Sequence, residues 1–238
     1  AADRYLLFKM TAHAVAQKHG MVFSCMPKPL ATAPGSGLHF HLSITDAAGK
    51  AIFTDATGSL GLSQQGHQFA AGLLHHADAL SALCAPTVNS YKRLASSNSA
   101  SGTTWSPVWK AYGDNNRTCV VRTVAGRLEW RLPDPSCNVY AAIAGTLAAG
   151  LDGMDQAMRA PEPCHEDLYE RRAKGLDMPP RLPRSLLEAV NALETDRSLR
   201  ALVGEAFCQQ FIQLKQAEWD AYSLHVGDWE LQRYADAF

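Results

Sequence analysis

Apolar and polar residues alternate without interruption in the stretch GSGLHFHLSI, residues 35–44. Successive side chains of a β-strand point to opposite faces of the sheet, so this spacing predicts a strand. Its buried face would carry Leu38, Phe40, Leu42 and Ile44. Its other face would carry three polar side chains, His39, His41 and Ser43.

Segments with helical periodicity lie on both sides of this strand in the sequence. Apolar residues recur at helical spacing over residues 3–18 and again over residues 63–86, where a proline ends the pattern. The apolar run at 21–29 predicts a short strand that leads into a proline-containing loop. The C-terminal region is predicted to be helical, with Ser185 and Asp196 as candidate N-caps. Strands in the first half with helices around them predict an α+β domain.

A second alternating segment, RLEWRLPD, begins at Arg127. Arg127, Glu129 and Arg131 would share one strand face, with apolar residues on the other. Two neighbouring cations favour the ionised form of Glu129, and an ionised carboxylate suits Mg²⁺ or Mn²⁺. The alternative is a ladder of opposite charges on an exposed sheet face.

Arginine is concentrated in the same part of the chain. Between residues 89 and 131 the only acidic residues are Asp114 and Glu129, whereas five arginines occur there: Arg93, Arg117, Arg122, Arg127 and Arg131. The arginine side chain presents a rigid fork of donors that suits carboxylate and phosphate oxygens. The cluster predicts a local polyanion site, and the alternative for any single arginine is a solvated surface position.

The two histidines of the first strand are candidate metal ligands. Neutral imidazole binds Mn²⁺ or Zn²⁺, and residues two apart on a strand lie on the same face. Gly35 and Gly37 precede them and allow a ligand to approach the backbone closely. The alternative is a purely structural role for these histidines. The remaining histidines have no such context and are expected at the surface or satisfied in the core.

Composition narrows the class of protein. The chain has 238 residues, 47 % of them hydrophobic, with a net charge of -1, which argues against nucleic acid or an anionic membrane as partner. Its six cysteines form no CxxC pair, as expected for reduced thiols in the cytoplasm. No apolar run is long enough to cross a bilayer.

Four motifs occur together in a fixed order, PGSGLHFHLS, NSYKRL, NNRTCVVR and RLEWRLPDPSCNVYAAIAGTLAAGLDG, with MPKP just upstream. In order and spacing they resemble the catalytic domain of the glutamine synthetase family, class I type. The resemblance runs from the first helix through the last. It implies that residues 1–238 are the C-terminal portion of one catalytic domain, built as a curved antiparallel sheet wrapped by helices, with the first part of that domain expected upstream.

The resemblance also implies an activity, the ATP-dependent ligation of glutamate to an amine. ATP would phosphorylate the γ-carboxylate of glutamate, and the amine would displace phosphate to form an amide. Ammonia is the leading acceptor, which gives glutamine synthetase activity. Mg²⁺ or Mn²⁺ would neutralise the phosphates, with ATP as co-substrate.

Site residues follow from the resemblance by position. His39 and Glu129 resemble metal ligands, and Arg117 resembles the catalytic cation that stabilises the transferred phosphoryl group. The positions that resemble nucleotide contacts are His41, Ser43, Arg122 and Arg127. The positions that resemble holders of glutamate are Gly35, Arg93 and Arg131.

One loop departs from the family pattern. Ammonia-using members carry a glutamate after NSYKRL, on a loop that covers the site and takes a proton from ammonium. Here residues 95–105 read ASSNSASGTTW and contain no acid, and Asp114 lies beyond the matching position. The sequence SGTTWSP is similar to that found in a branch of the family that includes γ-glutamylmethylamide synthetases. Methylamine or another small amine is therefore the alternative acceptor, beneath a lid that includes Trp105.

The family's remaining metal-binding glutamates and its small N-terminal β-domain would lie upstream of residue 1. We therefore expect a fragment that alone neither makes the amide nor holds both metals tightly. In the longer protein the family pattern implies a homo-oligomeric, dodecameric ring. Two alternatives of another class are a non-catalytic structural or regulatory relative and a stand-alone anion- or metal-binding module.

Overall fold

Four short strands and ten α-helices make up the described part of the chain, residues 1–95, 105–124 and 126–237 of a computed structural model. The strands are β1 (Phe40–Leu42), β2 (Trp109–Asp114), β3 (Cys119–Val124) and β4 (Arg127–Trp130). The helices are α1 (Ala2–Lys18), α2 (Gln64–His75), α3 (Ala77–Cys84), α4 (Val88–Leu94), α5 (Val139–Asp155), α6 (Leu168–Ala173), α7 (Leu186–Thr195), α8 (Arg197–Val203), α9 (Glu205–Ser223) and α10 (Asp228–Tyr234).

The strands form one open sheet in the order β1-β4-β3-β2. The α+β prediction is confirmed, and helices surround the sheet. β4 runs antiparallel to both β1 and β3, whereas β2 and β3 run parallel, so the sheet is mixed where an antiparallel one was expected. Alternation along a sequence predicts which face a side chain occupies, but it carries no information on the direction of the neighbouring strand.

The apolar face of β4 supplies the centre of the core. Leu128, Trp130 and Leu132 are fully buried, and they belong to one cluster with Phe53 and Phe69 that extends over α2, α3, α5 and α7. This is the predicted apolar side of RLEWRLPD. Its burial fixes which way the polar side chains between these residues must point.

Helices α2 and α5 cross with their backbones almost in contact. A Cβ atom on Gly72 would lie 2.1 Å from the carbonyl oxygen of Ala149, and one on Gly153 would lie 2.2 Å from that of Gln68. Only glycine fits at these two positions. The crossing holds the helical layer close beneath the sheet.

A buried histidine marks the break between α2 and α3. His76 donates from Nδ1 to Asp196 (2.6 Å) and from Nε2 to Asp152 (3.0 Å), and its side chain is fully buried. Burial lowers the pKa of His76, but the hydrogen bonds to Asp196 and Asp152 outweigh it, so the pKa is raised. The resulting imidazolium joins α5 to the junction of α7 and α8.

Three predicted elements differ from the structure. Residues 63–86 were expected to form one helix, but the chain breaks at His76, whose ring nitrogens are both held by carboxylates outside the two helices. The predicted strand at 21–29 does not form, because no neighbour pairs with it, and Val22 is 93 % exposed. The histidine strand is shorter than predicted, with ladder pairing only at Phe40–Leu42.

Several local predictions are confirmed. The helix at 3–18 is α1 (Ala2–Lys18), although none of its side chains is buried. Ser185 caps α7 by accepting from the backbone N–H of Glu188, and Asp196 caps α8 by accepting from that of Leu199. Among the described helices, none has the length and hydropathy that crossing a bilayer would require.

The His76 cluster predicts a pH-dependent contribution to stability. Because the folded pKa is raised above the unfolded value of 6.5, the contribution is complete below pH 6.5 and is lost as pH rises through the folded pKa. His76→Leu, which leaves two carboxylates without their cation, should lower the free energy of unfolding by about 3 kcal/mol. The difference from the parent protein should shrink as pH rises from 6.5 through the folded pKa of His76.

Denaturant unfolding of both proteins at a series of pH values measures this difference. His75→Leu is the matched control, since His75 is the exposed neighbour and should change stability little at any pH. A His76→Leu difference that stays constant over this range would contradict an imidazolium at position 76.

Candidate active site

Glu129 lies at the centre of the polar face of the sheet. Its neighbours Leu128 and Trp130 point into the core, so the Glu129 side chain points to the opposite face. The sheet register places Arg122 of β3 and His41 of β1 directly beside it. Only 3 % of Glu129 is exposed, which excludes the exposed charge ladder considered above.

Three side chains bond the buried carboxylate. His39 Nδ1 lies 2.8 Å from Oε1, Arg131 Nη1 lies 2.9 Å from Oε1, and Arg122 Nη1 lies 2.7 Å from Oε2. Burial alone would raise the pKa of Glu129, but hydrogen bonds from His39 and Arg122 and the charge of Arg131 bring it down to about 2. Glu129 is therefore an anion at any physiological pH, as predicted, but Arg122 of the neighbouring strand takes the place expected for Arg127, which bonds His41 instead.

His39 is neutral in this setting. Burial lowers its pKa, and the charges of Arg131 and Arg93 lower it further against the opposing effect of Glu129. Because an ionised carboxylate only accepts hydrogen bonds, the network assigns the ring proton to Nδ1. Nε2 then carries a free lone pair on the side that faces Gly37.

The pair formed by His39 and Glu129 has the donor chemistry of a divalent-cation site. A hard carboxylate oxygen and a neutral imidazole nitrogen suit Mn²⁺, and the carboxylate suits Mg²⁺. In residues 1–95, 105–124 and 126–237, no group of three or more His, Cys, Asp or Glu side chains is placed to hold an ion. The two donors therefore fit a metal only as part of a larger ligand set.

A cavity of about 240 Å³ opens next to this pair. Its lining includes the cationic side chains of Lys28, Lys92, Arg93 and Arg131, and the lining residues include no carboxylate. Such a cavity attracts anions by its charge and can hold them through the arginine forks. Of the five arginines from which a polyanion site was predicted, Arg93 and Arg131 line this cavity, which lies between α4, β4 and the 27–39 segment.

Arg93 forms the floor of the cavity. Its Nη1 donates to the carbonyl oxygen of Leu132 (2.8 Å) and its Nη2 donates to that of Arg131 (3.0 Å). Burial lowers its pKa to about 10, against the opposing charge of Asp134, so Arg93 stays protonated at neutral pH. A capping box of Thr87 and Ser90 starts α4, the helix that delivers it.

Gly35 and Gly37 bring the backbone close to these side chains. A Cβ atom on Gly35 would lie 2.7 Å from the carbonyl oxygen of Pro27. One on Gly37 would lie 2.9 Å from both Arg93 Nη2 and His39 Nε2. Both glycines line the cavity, so the predicted close approach of ligand to backbone is sterically possible there.

The predicted nucleotide contacts lie along the same sheet face. Arg127 Nε donates to His41 Nδ1 (3.1 Å), and His41 and Ser43 are exposed on β1 and just beyond it. Arg117 is exposed in the link between β2 and β3. Burial lowers the pKa of Arg131, and the neighbouring Glu129 carboxylate raises it. The charges of Arg122 and Arg117 lower it further, so both cations lie within electrostatic range of Arg131.

Segments 95 and 105–106 meet at the cavity. Arg131 Nη2 donates to the carbonyl oxygen of Trp105 (3.0 Å), and Ser106 Oγ donates to that of Arg93 (2.6 Å). Ala95 and Trp105 both line the cavity. The interpretation of ASSNSASGTTW as a covering loop falls mainly on residues 96–104, which lie outside the described residues.

The sequence interpretation missed three side chains. Lys28 and Lys92 line the cavity, and both stand in quoted motifs, MPKP and NSYKRL, so a signal was available. Asn115 accepts hydrogen bonds from Arg122 at Nε (3.1 Å) and Nη2 (2.5 Å). Asn115 also stands in a quoted motif, NNRTCVVR, but asparagine is common in turns and the residue type alone does not identify an arginine partner.

Comparison with known proteins places this chain in a family. The model of a family described as "Glutamine synthetase, catalytic domain" matches residues 1–234. The chain belongs to the glutamine synthetase family. Its fold is that of the catalytic domain of this family.

Individual relatives support this assignment to the glutamine synthetase family. The glutamate–methylamine ligase of Methyloversatilis universalis is 45 % identical over 242 residues, which cover 100 % of this chain and 54 % of the relative. The glutamine synthetase of Halobacterium salinarum is 39 % identical over 247 residues, which cover 100 % of this chain and 52 % of the relative. The chain thus spans about half the length of these curated relatives.

Solved structures give the same result. A complex of GmaS with ADP superposes with a TM-score of 0.92 at 43 % identity, over 99 % of this chain and 54 % of that one. GmaS without ligand superposes with a TM-score of 0.88 at 41 % identity, over 99 % and 53 % of the two chains. The recognition of the family from sequence motifs is confirmed.

The two glycines of the cavity should respond differently to substitution. Gly37→Ala pushes a methyl group against Arg93 and His39. Glutamate, the substrate that the sequence resemblance predicts for this cavity in the complete protein, should then bind about tenfold more weakly, with little change in melting temperature. Gly35→Ala instead meets a backbone oxygen and should lower the free energy of unfolding by about 1 to 3 kcal/mol. Calorimetric glutamate titration and thermal unfolding measure both effects.

Gly20→Ala is a control for the binding measurement, because its surroundings leave room for a methyl group and it lies outside the cavity. Because Gly20 has a φ of +65°, this variant also loses some stability. Unchanged glutamate affinity in Gly37→Ala would show that the cavity is not where glutamate binds.

Proposed function

We propose that this chain is the glutamate- and nucleotide-binding portion of an ATP-dependent glutamate–amine ligase. The observation that carries the proposal is the buried Glu129 carboxylate, bonded by His39, Arg122 and Arg131 beside a cavity lined by cations. Membership of the glutamine synthetase family supports it. Because the chain spans about half of its relatives, the proposal concerns the complete protein.

Glutamate would occupy the cavity. Arg131 and Arg93 would hold its carboxylates, with Gly35 presenting its backbone beside them. Two carboxylates entering a site with four cations and no carboxylate in its lining gain Coulomb attraction from every side. The buried guanidinium groups are already fixed by backbone carbonyls and by Glu129, so binding requires little further ordering.

Phosphoryl transfer would take place at the Glu129 side of the cavity. Arg117 would stabilise the charge of the transferred phosphoryl group, while Arg122 and Arg127 would contact the ATP phosphates together with His41 and Ser43. Positioned cations lower the barrier for such a transfer because its transition state spreads negative charge over the phosphoryl oxygens. The product of this step would be γ-glutamyl phosphate, which the amine then attacks.

His39 and Glu129 would hold a divalent cation, Mg²⁺ or Mn²⁺, with further ligands from outside the described residues. When bound, the ion supplies positive charge that neutralises phosphate oxygens. Arg122 and Arg131 keep the Glu129 carboxylate ionised and orient it. His39 keeps Nε2 free by placing its only ring proton on the Glu129 side.

Two amines are candidates for the acceptor. Ammonia is our leading proposal, as for the glutamine synthetases among the relatives. Methylamine is the second candidate, since the relative that shares 45 % identity is a glutamate–methylamine ligase. The lining of the cavity offers no carboxylate to accept the amine's proton, and residues 96–104 contain no acidic residue. The base would therefore come from elsewhere in the protein.

We infer a homo-oligomeric ring for the complete protein, with its sites completed by a second polypeptide segment, and we place it in the cytoplasm. Large apolar side chains on the outside of α1, Leu7, Phe8 and Met10, support a further contact surface there. Removing such side chains from water favours association.

An amine panel tests the proposed reaction. The complete protein with Mg-ATP and glutamate should convert ammonia, methylamine, ethylamine or putrescine to a γ-glutamyl amide, identified by mass spectrometry. A glutamine product supports ammonia as the acceptor. An alkylamide formed with at least about tenfold higher catalytic efficiency supports the second candidate. Residues 1–238 alone should form no detectable amide, and no amide from the complete protein would refute the proposal.

Glu129→Gln separates an enzyme from a non-catalytic relative. The substitution keeps the shape of the side chain but removes the charge that Arg122, Arg131 and His39 bond, so turnover should fall by at least about a hundredfold. Steady-state assays of amide formation measure the loss.

Glu170→Gln is the matched control, because Glu170 is exposed on α6 and should leave turnover unchanged. Turnover in Glu129→Gln close to that of the parent would exclude the proposed site. A parent protein without turnover would favour the structural or regulatory relative.

A further inference from the structure

The link between β2 and β3 carries a strained residue next to the Glu129 cluster. Asn115 has a φ of 48° and is one of three non-glycine residues in the left-handed region within the described ranges, with Leu60 and Ala157. Asparagine tolerates this conformation better than most residues, but glycine adopts it at lower cost. If the turn were the sole requirement, glycine would serve at least as well.

The side chain of Asn115 is directed to a single described partner. Its Oδ1 accepts from Arg122 Nε (3.1 Å) and Nη2 (2.5 Å), and its backbone N–H donates to the carbonyl oxygen of Thr123 (3.0 Å). The backbone bond anchors the left-handed residue beside β3. The amide oxygen then lies against the Nε edge of the arginine.

The adjacent Asn116 has a different role. Its Nδ2 donates to the carbonyl oxygens of Cys164 (3.1 Å) and Glu166 (2.8 Å), and its Oδ1 accepts from the backbone N–H of Thr118 (3.0 Å). These bonds join the link to the 164–166 segment. Because Asn116 provides the structural bonds of this link, the Asn115 side chain is available for Arg122.

The Arg122 guanidinium is held on two sides as a result. Asn115 Oδ1 accepts hydrogen bonds from Nε and Nη2, and Glu129 Oε2 accepts one from Nη1 at 2.7 Å. Two anchors fix both the position and the plane of a group that otherwise rotates about several bonds. A neutral amide does this without cancelling the positive charge, which an aspartate at this position would do.

We propose that Asn115 is a positioning residue for nucleotide binding, which sets the plane of the Arg122 guanidinium so that its remaining N–H groups meet the phosphate oxygens. The inference rests on the proposed function, in which Arg122 contacts the ATP phosphates. Asn115 itself touches no substrate. Its effect passes through Arg122, and a double-mutant cycle can detect that dependence.

The test compares Asn115→Gly, Arg122→Lys and the double variant in the complete protein. Asn115→Gly removes the amide and keeps the left-handed turn, so ADP affinity should fall about tenfold and KM for ATP should rise in parallel. KM for glutamate should stay within about twofold. In the Arg122→Lys background the same glycine substitution should have no further effect, because lysine lacks the Nε–Nη2 edge.

Ala157→Gly is the matched control, since it also replaces a left-handed residue (φ 49°) and lies outside the proposed contacts. It should leave nucleotide affinity unchanged. Direct ADP titration keeps the two proposals separate. Nucleotide binding that depends on Asn115, without amide formation, would reject the ligase and retain the positioning role.

Two results would overturn the positioning role. One is an ADP affinity for Asn115→Gly within about twofold of the parent value. The other is an equal loss of affinity in the parent and Arg122→Lys backgrounds, which would mean that Asn115 acts on the turn rather than through Arg122. A parent protein that binds no nucleotide would overturn both proposals together.

Discussion

The ion cluster around Glu129 is the interaction on which the functional face depends. A carboxylate that is 3 % exposed is stable there only if its charge is matched, and here two arginines and a histidine donate to it. Strand register makes the match possible, because Arg122 of β3 lies opposite Glu129 and Arg131 lies two residues further along the same face. The cluster thereby connects three segments of chain, the 27–39 segment, β3 and the end of β4.

Much of this face could be predicted from local sequence. Alternation gave the two sides of β4 and of the histidine strand, since the period of two is a property of extended backbone and needs no tertiary information. The family was recognisable because four motifs keep their order and spacing. The alternating pattern could not predict that Glu129 and Arg131 are buried, because a polar strand face can be solvated or covered by other chain segments.

Other features depended on contacts between distant residues. His76 interrupts a continuous helical pattern because Asp152 and Asp196 hold its two nitrogens, and both lie more than seventy residues away. The parallel pairing of β2 with β3 and the contact of Asn115 with Arg122 likewise depend on how the segments meet in the folded sheet. Local propensity contains no information on such pairings.

Arg131 contacts both the Glu129 cluster and the anion cavity. Its guanidinium bonds Glu129 and the carbonyl oxygen of Trp105, while its own carbonyl oxygen accepts from Arg93 on the cavity floor. A shift of this one residue therefore changes the proposed metal site and the anion cavity together. Thermodynamic linkage then makes their occupancies reciprocal: whatever free energy one ligand contributes to the affinity of the other, it receives in return.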